Sequence, residues 1–258
     1  MEVILTGTIG VLSFIGLVVV ELRTPRPMLD LRLLHDRMFR NANIVNVFSS
    51  ASFVGLIFLM PLYLQNLRGL SALQSGLTTF PQALGVLVSS QIAGRMYRAI
   101  GPRRLMFGGL LASFFSIIGF TFIGLDTSFW VIRGLMFVRG LCMGFAFVSM
   151  QAASYATIKP ADNGRASSIF ATQRQMAISV GIAIVATVLA SYTTLGSAVT
   201  DPSETLTGFR VAFFVTAIMA LFGALAALLI HDRDAAPTLR PRPEFATVAD
   251  RDQATATP

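Results

Sequence analysis

Seven apolar stretches, each long enough to cross about 30 Å of hydrocarbon as a helix, dominate this chain. They run over residues 3–20, 42–64, 76–94, 105–125, 129–156, 167–191 and 209–230. No water is present inside a bilayer to satisfy backbone N–H and C=O groups, so such stretches must be helical. The pattern predicts an all-α, polytopic transmembrane helix bundle of about seven spans. Composition points the same way: 54% of the 258 residues are hydrophobic and 13% are charged, where a soluble domain carries about 25% charged residues. That balance excludes a soluble globular domain, a disordered chain and a disulfide-stapled secreted domain. The single Cys142 lies mid-span and provides neither an internal disulfide nor a multi-cysteine metal site.

The net charge of +7 comes from 20 basic and 13 acidic residues, with Lys159 the only lysine. In a soluble chain it would suggest nucleic acid; here the basic residues fall mostly in loops, so they orient the chain in a lipid bilayer and no nucleic-acid partner is expected. Arg23, Arg26, Arg32, Arg37 and Arg40 lie between the first and second spans. Arg95, Arg98, Arg103 and Arg104 lie between the third and fourth, and Lys159 and Arg165 between the fifth and sixth. The alternate connections and their flanks hold only Arg68, Arg133 and Arg210. The first set is therefore expected in the cytoplasm, with the N-terminus outside and the C-terminus inside a plasma (inner) membrane. The first span is preceded by Glu2 in place of a basic start, its end at Val18-Val19-Val20-Glu21 offers no small-residue cleavage site, and it is expected to be retained. Residues 231–258, rich in Ala, Thr, Pro and mixed charge, read as a disordered cytoplasmic tail.

Polar groups within the spans are costly unless partnered, which makes them the candidate functional residues. Asn43, Asn46 and Ser50 share one helical face; they either knit neighbouring helices together or wall a water-filled path. In the fifth span Met136, Arg139, Met143 and Met150 fall within roughly a 60° arc. A methionine stripe packs a core or lines a cavity for varied apolar ligands, and the arginine needs a partner or a cavity. Gln151 lies one face over, with Gly140, Gly144 and Phe147. Gln173 and Arg174 sit in the cytoplasmic half of the sixth span. Phe170, Arg174, Ala177 and Gly181 share a face, so Arg174 either faces inward along small residues or snorkels to the interface. Pro81 in the third span marks an expected kink with the polar Gln82 beside it. No Asp or Glu occupies the middle of any span, and neither His35 nor His231 is intramembrane, so no proton-coupling group is visible in this chain. No His-Glu-x-x-His pattern, paired membrane aspartate or Gly-x-Ser-x-Gly elbow suggests an enzyme, and no cofactor or metal is implied.

Between the third and fourth spans the chain reads Gly94-Arg95-Met96-Tyr97-Arg98-Ala99-Ile100-Gly101-Pro102-Arg103-Arg104. Gly94 permits close helix approach, Gly101 a tight turn, and the basic pair anchors an interface or meets helix C-termini or carboxylates. This segment resembles the short loop motif of the major facilitator superfamily. Several other stretches resemble its fourteen-span, EmrB/QacA-type multidrug exporters. They are Glu21 with Pro27-Met28-Leu29-Asp30-Leu31-Arg32-Leu33-Leu34, the series Leu73, Leu77, Pro81, Gly85 and Gly94, Arg139-Gly140 with Gly144, and Gln173-Arg174-Gln175 with Gly181. The similarity extends to about residue 230. The family's loop motif carries Asp at its fifth position, where this chain has Arg98.

The resemblance implies two six-helix bundles with two extra helices between them. Residues 1–21 would be an extra central helix, 22–40 a cytoplasmic basic linker, 41–230 the C-terminal six-helix bundle and 231–258 the tail. The N-terminal bundle, with the proton-linked carboxylate usual in the family, would be a missing partner. The resemblance further implies alternating-access export of small amphipathic drugs in exchange for protons. Two other readings remain: a self-associating half-transporter in which two copies each supply one bundle, and, from helix count alone, a seven-span receptor or channel-like protein. A retinal-type receptor would want a lysine in its last span, and Lys159 lies in a loop.

Overall fold

Residues 30–192 and 202–232 are described in the computed structural model, together with isolated helical positions at Gly10, Leu12, Ser13, Gly16, Val19 and Val20. Apart from those positions the expected first span lies outside the described residues, as does nearly all of the expected tail.

Helix starts are written in the sequence as caps. Asp36 accepts the Phe39 N–H at 2.8 Å and opens α1 (Arg37–Leu62). Ser71 and Gln74 form a reciprocal capping box at the head of α2 (Ala72–Thr79). Pro81 begins α3 (Pro81–Ile100), with Phe80 still in helical conformation, so α2 and α3 form one helix broken where the proline lacks an N–H. Gly101, at φ +89°, ends α3, and Pro102 starts α4 (Pro102–Thr121). Ser128 caps α5 (Phe129–Ser154). α6 (Asn163–Tyr192) and α7 (Pro202–Ala227) complete the described bundle. These helices outrun several of the apolar stretches because capped polar turns extend them beyond the hydrocarbon-compatible residues.

Among the described residues, five helices are long and apolar enough to cross a membrane: Arg37–Leu67, Pro102–Thr121, Phe129–Ser154, Pro160–Tyr192 and Thr205–Ala227. The expected third span differs. Its helix α3 has the length, but Gln82, Ser89, Ser90, Gln91, Arg95 and Arg98 make it less apolar than the others. A helix of this kind is tolerated where its polar face meets protein.

α5 packs between α3 and α4, while α7 packs on α4, α1 and α6; α1 reaches α5, α6 and α7. Two apolar cores result. One contains Leu56, Leu59, Tyr63, Ile117, Phe120, Met136, Phe209 and Phe213. The other contains Met38, Val45, Met106, Leu110, Met143, Met150, Ala224 and Ile230. Buried polar groups lie along the helices between them, where Ser52 donates to the Thr216 carbonyl at 2.9 Å.

At the end bearing residues 30–36, the chain after α7 is fastened down. Asp232 accepts the Arg103 N–H at 2.9 Å, and a Cβ on Gly101 would stand 3.1 Å from that carboxylate. Arg37 reaches His231 at 3.0 Å, and Asn41 donates to the Leu229 carbonyl at 2.8 Å. At the opposite end Tyr63 and Arg68 donate to the Gly124 carbonyl, at 2.8 and 3.3 Å, and close the C-terminus of α4.

Candidate polar site between helices α1, α3 and α5

Arg139 is fully buried, on the face of α5 that α1 and α3 cover. Its Nη1 donates to Gln82 Oε1 at 2.8 Å, and its Nη2 to the carbonyls of Ser52 and Phe53 at 3.1 and 3.0 Å. The guanidinium carbon lies 5.1 Å from the centre of the Phe53 ring, close enough for a cation–π contact. Its Nε has no acceptor. Every named partner is neutral, so hydrogen bonds satisfy most of the donors while the positive charge stays unbalanced by any carboxylate among the described residues.

Sequence brings Gln82 to this point through two local rules. Pro81 breaks the helix at its own position, and Gln82 follows it on the inner side. The small residues then let α3 and α5 touch backbone to backbone. A Cβ on Gly140 would strike the Gln82 carbonyl, and one on Gly85 would strike the Phe137 carbonyl and come within 2.7 Å of the Leu141 nitrogen. Only glycine allows Arg139 and Gln82 to approach from facing helices in this way.

Beside this pair lies a cavity of about 460 Å³. Phe53, Ile57, Met60 and Pro61 of α1 form one wall; Thr79, Phe80, Gln82, Ala83 and Val86 form the other, with Met136 behind. Phe80 and Ile57 are exposed at 56% and 42%, so the cavity reaches the bundle surface. Pro61 lies in the first wall and Pro81 begins the helix that carries the second, and Pro61 is followed by a π-helical turn at Tyr63–Leu67.

The expected candidates separate into groups. Gln82, Arg139 and Met136 come together at the cavity. Met143 and Met150, on the same sequence stripe as Met136, are buried in the second apolar core instead. Asn43 and Asn46 are fully buried and Ser50 nearly so. Asn43 donates to the Phe39 carbonyl of its own helix at 2.8 Å, Asn46 reaches the Phe170 carbonyl of α6 at 3.4 Å, and Ser50 donates to Asn46 at 3.1 Å. Gln151 and Arg174 are exposed, while Gln173 is half-buried with its Oε1 unpartnered. Arg174 lies 5.7 Å from the Phe147 ring, which meets Phe53 edge-on at 5.0 Å, so two aromatic rings connect Arg174 to the Arg139 site. In the loop segment Gly94, Arg98, Arg103 and Arg104 are exposed, and the carboxylate found there is Asp232, held by a backbone N–H of Arg103. Ser52, Phe53, Pro61 and Thr79 were not anticipated; of these only Pro61, a proline inside an apolar run, left a local signal in the sequence.

Comparison with known proteins gives the family context. The Major Facilitator Superfamily profile matches residues 3–182 and again 42–255. An uncharacterized MFS-type transporter of Bacillus subtilis, YhcA, is 30% identical over 204 residues, covering 79% of this chain and 38% of that one. A multidrug resistance protein B homolog of Mycobacterium tuberculosis is 29% identical over 170 residues, covering 65% of this chain and 31% of that one. The multidrug transporter protein MdtP of Bacillus subtilis is 28% identical over 181 residues, or 70% and 33% of the two chains. The chain thus spans between about 31% and 38% of the length of these relatives.

Proposed function

Since the chain belongs to the major facilitator superfamily, a family of multi-pass membrane transporters and not of enzymes, we propose that it forms the C-terminal helical half of an exporter of amphipathic drugs. In this reading the whole transporter is of the fourteen-span type and sits in the plasma membrane, with the linker end of the bundle in the cytoplasm. A second, N-terminal bundle completes the substrate path and supplies the proton-linked carboxylate. Support comes from relatives named as multidrug proteins, of which this chain covers about a third, and from loop arginines gathered at one end of the bundle.

The observation that carries the proposal is the buried Arg139–Gln82 pair beside an apolar cavity between two proline-containing helices. A charge retained inside the membrane at such cost marks a functional path. Alternating access requires two packings of one bundle against a site near the midplane. Pro61, ahead of the π-helical turn at Tyr63–Leu67, and Pro81, between α2 and α3, supply the points at which that turn and α2 reorient, while Arg139 ties α1 and α3 to α5. Substrate would enter the cavity against Phe53, Phe80 and Met136, where adaptable apolar side chains accept varied shapes.

The test is dye and drug accumulation in the native host carrying Arg139→Ala at its own locus. Export of every substrate is expected to fall together, because the substitution releases the cavity wall and leaves Gln82 Oε1 buried without its donor. Unchanged resistance and accumulation, with normal amounts of protein in the membrane, would overturn the proposal.

A further inference from the structure

The polar end of the cavity has a definite hydrogen-bonding sense. Gln82 turns its carbonyl oxygen toward Arg139, where Oε1 takes the Nη1 hydrogen at 2.8 Å. The other end of the amide is Nε2, a pure donor with two hydrogens. Gln82 is 8% exposed and lines the cavity, so this donor borders the space. The bond to a charged guanidinium polarises the amide and strengthens that donor. Behind it the Arg139 charge lacks a carboxylate among the described residues, and its Nε–H is buried without an acceptor. The cavity walls carry no acidic side chain, and Thr79 already donates its hydroxyl to the Ser75 and Gly76 carbonyls. An apolar chamber with one strong donor and an unneutralised positive charge beside it repels cationic heads and favours acceptors bearing negative charge.

Resting on the reading of this cavity as a substrate site, we propose that it selects amphipathic molecules with an anionic acceptor head, of the carboxylate or sulfonate class, over cationic ones. The head accepts from Gln82 Nε2 and lies in the field of Arg139, and the apolar body packs against Phe53, Phe80 and Met136. Gln82 is thereby the specificity-determining residue, and Arg139 acts through it as a positioning residue.

The experiment uses the protein as its host makes it, purified into phosphatidylcholine nanodiscs, with protein-free nanodiscs subtracted. Two probes share a ring and differ in head charge: naphthalene-2-sulfonate and 2-naphthyltrimethylammonium. Equilibrium dialysis is expected to show saturable binding that favours the sulfonate by about tenfold or more. Gln82→Met, which keeps the volume and removes the donor, should weaken the sulfonate about fivefold and leave the ammonium unchanged. Gln82→Glu should reverse the preference. Ala83→Trp, which fills the cavity, should abolish binding of both probes, and thermal unfolding of each variant verifies that it is folded.

Equal binding of the two probes, or a preference that neither Gln82 substitution moves, overturns the head-group proposal while loss in Ala83→Trp upholds the cavity. Wild-type binding in a folded Ala83→Trp protein, or no saturable binding of either probe, overturns the cavity reading and this proposal with it.

Discussion

The α3–α5 and α1–α6 contacts both rely on small residues, yet they are built to different tolerances. Along α3–α5, the added Cβ of Gly85 or Gly140 would fall on backbone atoms of the facing helix, and that of Gly144 would fall on the Ser89 hydroxyl. Backbone cannot rotate out of the way. Along α1–α6, a Cβ on Gly181 would likewise stand 2.8 Å from Ala51 Cα and Cβ, but the next contact is ordinary: a Cβ on Gly55 would meet Val185 at 3.4 Å. Its polar groups are also incompletely paired, as Arg139 Nε is at α3–α5. Asn46 reaches Phe170 at a long 3.4 Å, and both Asn43 Oδ1 and Gln173 Oε1 are buried without partners. The α3–α5 pair is thus a locked unit that carries the Arg139 site, and α1–α6 is the looser of these two seams. A membrane bundle gains little from burying apolar surface against equally apolar lipid, so close packing and satisfied hydrogen bonds decide which seams hold.

The strongest way to break this contrast is Gly140→Ala. Its methyl group would have to displace the Gln82 backbone, forcing α3 from α5 and pulling Gln82 from Arg139. We expect a cost of about 3 kcal/mol or more, at the upper end of overpacking effects. A fall in unfolding midpoint of about 6 °C or more in detergent, or failure to accumulate, is the expected result. A variant as stable as the parent would show that the seam is not locked.

Next in size is Met143→Ala. Met143 is fully buried among Met38, Met106 and Ala146, so truncation leaves a cavity worth about 2–5 kcal/mol. Met136→Ala makes the informative partner, because Met136 lines the existing cavity. Because Met136 also belongs to the first apolar core, its truncation is expected to cost stability as well, with an altered substrate profile in the same accumulation assay as the distinguishing effect. If Met143→Ala changed the profile and left the unfolding midpoint alone, the division between core and cavity along α5 would be wrong.

These two methionines show what could be read from the chain and what could not. The spacing of Met136, Arg139, Met143 and Met150 correctly placed four side chains on one face, since helical geometry is local. That face extends over four turns and meets different neighbours along its length, so which methionine meets the cavity and which the core was a tertiary fact. The break at Pro81 was legible because a missing N–H acts wherever it occurs. Its conjunction with Arg139 was not, because it depends on glycines in two separate helices meeting. Arg174 shows the converse limit. Ala177 and Gly181 are buried as the small-residue stripe suggests, while Arg174, at the rim of that stripe, is exposed. A rotation of a fraction of a turn separates those outcomes, and apolar periodicity is too weak in an all-round hydrophobic helix to fix it.

Gly181→Ala sharpens the comparison with the same chemical change on the looser seam. The new methyl group would lie 2.8 Å from Ala51 Cα and Cβ and 3.0 Å from its carbonyl oxygen, so the helices must separate locally. With slack beside it at Gly55, the expected cost is about 1–2 kcal/mol, smaller than for Gly140→Ala in the same unfolding measurement. An equal or larger cost would place the rigid seam at α1–α6.

Gln173→Met is expected to have the smallest effect and opposite sign. Gln173 is half-buried, and its Oε1 is shut away from solvent with no donor. Methionine keeps nearly the same length and volume and removes that acceptor, so the desolvation penalty of an unmet group disappears with it. Stability should stay level or rise by up to about 1 kcal/mol, read as an unchanged or slightly higher unfolding midpoint. A clear loss of stability would mean that the amide has a hydrogen-bonding partner within the folded protein, and Gln173 would no longer count as slack in the α1–α6 seam. The sign of this small shift therefore tests whether an unmet acceptor at Gln173 loosens that seam.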